Sequence, residues 1–131
     1  KYNQKTPMLV TGHSGQSLDW IAEHADGWLY YPRDFRTLQM VMQQWKAALA
    51  KNKKEWKPFM QSLYVDITED ANAKPTPIHL GFKSGTAYLN AHLKQLESHG
   101  VNHVIFNLKY GSSPAAEMIE EIGEMVIPHF S

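Results

Sequence analysis

The sequence predicts an α/β protein: four β-α units whose strands run parallel. Short apolar runs alternate along the chain with longer stretches of helical periodicity, which calls for parallel strands joined by right-handed crossovers. Glycine-, serine- or proline-bearing turns punctuate the alternation. With 131 residues and 43% hydrophobic content, the chain has enough apolar material for one domain, residues 1–131, with a sizeable core.

The first unit opens with Met8-Leu-Val-Thr11 as a short buried strand, followed by the turn Gly12-His-Ser-Gly-Gln-Ser17. Leu18, Ile21, Ala22 and Ala25 then fall at helical spacing, and Asp26-Gly27 breaks the helix. Trp28-Leu-Tyr-Tyr31 is the second strand. Pro32-Arg-Asp34 closes it and caps a long helix with the inward stripe Leu38, Val41, Met42, Trp45 and Leu49. Lysines between positions 51 and 57 suit that helix's C-terminus. Pro58 starts a third strand, Phe59 to Ile67, in which Phe59, Gln61, Leu63, Val65 and Ile67 alternate with Met60, Ser62, Tyr64 and Asp66. A long polar connection, Thr68 to Gly85, leads to a helix carrying Leu89, Leu93 and Leu96, stopped by Gly100 at a left-handed cap. Val101 to Leu108 reads as the fourth strand. Gly111-Ser-Ser-Pro114 turns the chain into a last helix striped by Met118, Ile119, Ile122, Met125 and Val126.

Composition narrows the function. Thirteen basic residues balance thirteen acidic ones, so no broad charge recommends nucleic acid or an anionic membrane as partner. Without cysteine there is neither a disulfide framework nor a thiolate metal site, and the cytoplasm is the expected compartment. No apolar run reaches the roughly 20 residues of a membrane span, and no signal-peptide pattern precedes the first strand. The chain opens at Lys1 rather than at a methionine, as a processed chain, one trimmed for expression or a piece of something longer would.

Sites in parallel α/β folds gather at the C-terminal ends of the strands. Here those ends carry residues 12–17, 31–34, 66–85 and 109–113, whereas His103 lies at a strand start. The first of these loops has the chemistry of an anion site. The leading N–H groups of a helix lack intrahelical partners and sit at the positive end of its dipole. Gly12 and Gly15 let the backbone come close, and Ser14 and Ser17 add hydroxyls. The same pattern also describes a turn in which Ser14 caps the helix and the glycines only reverse the chain.

Thr11-Gly-His-Ser-Gly-Gln-Ser17, followed by Trp20-Ile-Ala-Glu-His-Ala-Asp-Gly-Trp28, resembles the bacterial luciferase-like, flavin-dependent monooxygenases. Gly81-Phe-Lys-Ser-Gly85, the leucine helix and Gly100-Val-Asn-His-Val-Ile-Phe-Asn-Leu108 follow the carboxy-terminal half of the same family, so the resemblance covers nearly the whole chain. Periodicity alone leaves open an open four-stranded sheet or half of a barrel. The resemblance implies the latter: half of a TIM-type (β/α)8 barrel, with the amino-terminal half missing. It further implies that Gly12, His13, Ser14, Gly15, Gln16 and Ser17 cradle the phosphate of flavin mononucleotide (FMN). The implied activity is oxidation of a small organic substrate by reduced FMN and oxygen in a pocket shielded from water. Trp28, Tyr30 and Tyr31 either wall part of that pocket or pack as ordinary barrel residues. The family's other flavin contacts and its candidate catalytic histidine fall in the absent half, so no catalytic residue is assigned and this half alone is expected to be inactive. Its expected partners are the missing half-barrel or a second copy, since an isolated half would leave strand edges and apolar faces uncovered.

Two other readings compete. Gly12-His-Ser-Gly-Gln16 falls one residue short of the G-x-S-x-G elbow that would make Ser14 the nucleophile of a serine esterase. Gln16 stands where that elbow needs glycine, and no histidine follows a late strand, although Asp66 has the order and place of the acid. A non-catalytic flavin-binding relative is the other. His13 reads as a donor beside a phosphate or as a solvated side chain, and Lys83 as solvated or as reaching an anion from its loop. The seven histidines form no metal-ligand motif, so no metal is expected.

Overall fold

The computed structural model describes residues 5–131; the leading four, on which the absence of a signal-peptide pattern partly rests, lie outside the described residues. Four β-α units are present as predicted, with one hairpin inserted into the third. The sheet order is β1-β2-β3-β5-β4, with β6 also pairing β3. The chain divides into two compact units, one running to Gln61 and taking in His99–His103, the other comprising Ser62–Ser98 and Val104–Ser131.

In the first unit, β1 (Leu9–Thr11), β2 (Gly27–Tyr30) and the start of β3 (Phe59–Ile67) run parallel, Val10 standing opposite Trp28 and Trp28 opposite Phe59. Helix α1 (Leu18–His24) links β1 to β2 and buries Ile21 and Ala22. Helix α2 (Phe35–Lys51) links β2 to β3. Asp34 caps it: its carboxylate accepts the Thr37 N–H at 2.9 Å and the Thr37 hydroxyl at 2.7 Å. All five residues of its predicted stripe are buried. The core is aromatic, with the Trp28 ring 5.3 Å from Trp45 and 5.5 Å, edge-on, from Phe59.

In the second unit, the later half of β3 pairs in parallel with β5 (Gly81–Ser84), placing Tyr64 opposite Gly81 and Asp66 opposite Lys83. Strand β4 (Thr76–Ile78) runs antiparallel to β5. The polar connection expected between positions 68 and 85 therefore contains a hairpin. Its strands are three and four residues long, and Pro77 lies within β4, which takes the last place in the sheet order. A proline is tolerated at such an edge and hides the strand from pattern reading. Helix α3 (Thr86–Ser98) buries Leu89, Leu93 and Leu96, and β6 (His103–Asn107) begins at His103. Helix α4 (Ala115–Met125) is followed by a single 3-10 turn, Ile127–His129. Its buried stripe, Met118, Ile122 and Val126, is narrower than predicted, because Ile119 and Met125 are 61% and 48% exposed.

Candidate functional site

Residues 12–17 form the turn between β1 and α1. It is anchored at both sides: the Gly12 N–H donates to Leu29 O at 2.7 Å, and Gly12 O accepts the indole N–H of buried Trp28 at 2.6 Å. Gly12, Ser14 and Gly15 have φ of 56, 46 and 73°, the left-handed region where glycine is at ease and serine is strained. The turn is closed by the Gln16 N–H donating to His13 O at 2.7 Å. The two serines differ. Ser14 donates its hydroxyl proton to Thr11 O at 2.8 Å, while Ser17 is the cap of α1, its oxygen accepting the Trp20 N–H at 3.2 Å. Ser17 thus keeps its proton, and it, rather than Ser14, caps the helix.

Among the described residues, the N–H groups of Ser14, Gly15, Ser17 and Leu18 meet no hydrogen-bond acceptor. A Cβ built on Gly15 would touch nothing within 4 Å, so open space lies above the turn. His13, Ser14, Gly15, Gln16 and Ser17 are exposed and only Gly12 is buried. Unspent donors, a free hydroxyl and room above them fit a phosphate. Helix α1 has seven residues, so the main-chain donors of the turn matter more here than the helix dipole. His13 stands edge-on to Trp28 and Tyr30 at 5.7 and 6.3 Å. Trp28 is core, whereas Tyr31 is 43% exposed and lies against Gly12. The histidine that a nucleophilic Ser14 would need is not supplied: its proton goes to a backbone carbonyl.

The first unit also holds a cavity of about 370 Å³, lined by Trp45, Leu49, Lys54, Trp56 and Gly100 among others. It lies where α2 ends and β3 begins, away from the strand end that bears the turn.

In the second unit, Asp66 is buried near the end of β3 and its carboxylate is fully engaged. It accepts the Ser112 N–H at 2.9 Å and the Ser112 hydroxyl at 2.9 and 3.0 Å, and pairs with the Lys83 ammonium at 3.3 Å. Burial pushes its pKa up, but the Ser112 and Lys83 donors outweigh burial and hold it below the usual carboxylate range. Lys83 is therefore an ion-pair partner rather than a free solvated lysine. No pattern announced the cluster, because the three residues are far apart in sequence: Asp66 and Lys83 meet through the β3-β5 register, and Ser112 comes from the loop after β6, which itself pairs β3. Among the described residues, no group of three acidic or histidine side chains is placed to hold a metal.

At the level of sequence, no family profile and no curated protein matches the chain. Solved structures do match. A coenzyme F420-dependent tetrahydromethanopterin reductase from Methanopyrus kandleri superposes with a TM-score of 0.77 at 13% identity, over 95% of this chain and 51% of that one. The chain has the fold of this structure. An F420-dependent secondary alcohol dehydrogenase, solved with an F420-acetone adduct, shares this fold with a TM-score of 0.74 at 11% identity, over 98% of this chain and 50% of that one. A long-chain alkane monooxygenase gives 0.65 at 11% identity, over 92% and 39%. The chain thus spans between about two fifths and one half of the length of these structures, and the α/β fold with parallel strands, half of a TIM-type barrel, is the one predicted. Among the described residues, no helix is long and apolar enough to cross a membrane.

Proposed function

We propose that this chain is the carboxy-terminal half of a flavin-type oxidoreductase of the cytoplasm, and that residues 12–17 hold the phosphate of its cofactor, FMN. The observation that carries the reading is the turn itself: left-handed backbone at Gly12 and Gly15, main-chain donors without acceptors, and a Ser17 hydroxyl with its proton to give. The oxidoreductases that share the fold support it. The cofactor would supply the redox chemistry. The protein's part is to grip the phosphate through the Ser14, Gly15 and Ser17 amides and the Ser17 hydroxyl, and to keep the turn rigid through Trp28. A small organic substrate and the absent half-barrel, or a second copy of the chain, complete the set of partners.

FMN titrated against this chain, alone and together with an amino-terminal half-barrel, tests the reading through flavin fluorescence and anisotropy. Saturable binding that weakens at least tenfold in Ser17→Ala, and less in Ser14→Ala, is expected. No response to FMN with the barrel complete would remove the proposal. Coenzyme F420 in the same titration decides between flavin and deazaflavin, and oxygen-dependent oxidation of the reduced cofactor separates an enzyme from a binding relative that does not turn over.

A further inference from the structure

The second unit carries two stacked layers of side chains that the phosphate cradle does not use. The first layer is aromatic. Tyr64 and Tyr110 stack at 5.3 Å with 30° between their planes, and His79 stands edge-on to both, at 5.7 and 6.0 Å. The second layer is polar: Asp66, Lys83 and Ser112. The same three segments build both. Strand β3 gives Tyr64 and then Asp66, the β4-β5 hairpin gives His79 and then Lys83, and the loop after β6 gives Tyr110 and then Ser112. Residues two apart on a strand share a face, and Tyr64 pairs Gly81 as Asp66 pairs Lys83, so the layers adjoin on one face of the sheet.

Both layers are held before any ligand arrives. Leu80, next to His79, sits at φ of 51°, a strained conformation for a leucine, and its carbonyl accepts the Tyr64 N–H at 3.1 Å. The loop after β6 is tied by the Gly111 N–H to Leu108 O at 3.0 Å and by the Lys109 N–H to the Asn107 side chain at 3.0 Å. The charges do not balance. The one carboxylate, Asp66, is saturated by Ser112 and Lys83, whereas two ammonium groups are present: Lys83, 41% exposed with a proton to spare beyond Asp66 and Ser112, and Lys109, 5.5 Å from the Tyr110 ring centre. The Tyr110 ring is itself 45% exposed.

We infer that this face binds a small aromatic carboxylate, its ring against Tyr110 and His79 and its carboxylate at Lys83. The Tyr110 ring, 45% exposed beside His79, favours a planar ring over a saturated one, and the Lys83 ammonium, with a proton to spare beside a saturated carboxylate, favours an anion over a neutral or cationic group. On the oxidoreductase reading above, this names the class of organic substrate, and that assignment rests on the reading. The binding itself needs no cofactor, so failure of the FMN titration and failure of this one are separate results.

Benzoate titrated into the chain, followed by calorimetry and by the tyrosine ring resonances in NMR spectra, is the test. Saturable binding at one site is expected, with shifts at Tyr64 and Tyr110. Cyclohexanecarboxylate, of the same charge without the π-face, should bind at least fivefold more weakly, and benzyl alcohol, with the ring but no charge, at least tenfold. Lys83→Met should weaken benzoate at least tenfold and Lys83→Arg should restore most of it; Tyr110→Leu, at an exposed position that leaves the core intact, should weaken it at least fivefold. No saturation, equal affinity for cyclohexanecarboxylate, or affinity unchanged in both Lys83→Met and Tyr110→Leu would each overturn the inference.

Discussion

Ser17 and Ser14 look alike in sequence and do different work. Ser17 accepts the Trp20 N–H at the start of α1, so Ser17→Ala should lower stability by about 1 kcal/mol, the usual cost of a lost cap. Urea titration of the two alanine variants would show it. Asp66 has a different signature, set by pH. Its folded-state pKa lies below the ordinary value because Ser112 and Lys83 favour the charged form. A carboxylate depressed in this way contributes stability above its unfolded pKa and loses it as pH falls through the folded value. Wild-type protein should therefore lose stability from the ordinary carboxylate range downward. In Asp66→Asn that part of the profile should flatten, with the variant less stable than wild type at pH 7 and the gap narrowing at acid pH, as thermal unfolding across the pH range would register. Local pattern reading located the Gly12 to Ser17 turn but not the assignment of its protons. Spacing reveals which hydroxyls share a turn; which carbonyl each one faces depends on the left-handed backbone at Gly12 and Ser14.

At the level of elements, the long helices were readable because their signals repeat: five buried positions of α2 reinforce one another over 17 residues. Strand β3 was legible from its length, nine residues from Phe59 to Ile67 directly after Pro58, although it is largely buried on both faces rather than alternating. The β4-β5 hairpin was not, since three residues around Pro77 carry no period and its pairing with β3 is a long-range choice. The end of α2 holds a prediction that pattern reading missed. The Lys54 N–H donates to Leu49 O at 2.9 Å and the Lys53 N–H to Ala50 O at 3.0 Å, the paired bonds of a Schellman cap, with Lys53 at φ of 56° where glycine is the common residue. A left-handed lysine costs roughly 1–2 kcal/mol relative to its preferred backbone. Lys53→Gly should recover part of this, raising the unfolding midpoint in urea with the slope unchanged. A few residues on, the Lys57 ammonium donates to Ala22 O and Ala25 O and so closes the C-terminus of α1. Lys57→Met, which keeps the stem and removes the charge, should destabilise by about 1.5–3 kcal/mol, the range for hydrogen bonds to a charged group, measured in the same titration.

For the molecule as a whole, the decisive quantity is the surface left uncovered when a chain spans half the length of the structures it superposes on. In the first unit, β1 ends the sheet order, and Leu9, opposite Gly27 on β2, is 49% exposed; Tyr31, just beyond β2, is 43% exposed. In the second unit, Ile105 on β6 is 42% exposed and Ile119 on α4 is 61% exposed. Apolar side chains on an open strand edge template pairing with another chain. A three-residue strand such as β1 offers little register of its own to resist it. The chain alone should therefore form a dimer or larger species in sedimentation velocity runs, with the monomer fraction rising on dilution. Supplying an amino-terminal half-barrel should replace this self-association with a one-to-one complex, because the same edge cannot pair twice. Leu9→Lys, which places a charge on the β1 edge at a position 49% exposed, should shift the chain toward monomer. A chain that stays monomeric at all concentrations, and that Leu9→Lys leaves unchanged, would show the sheet to be self-sufficient and would remove the argument for a missing half.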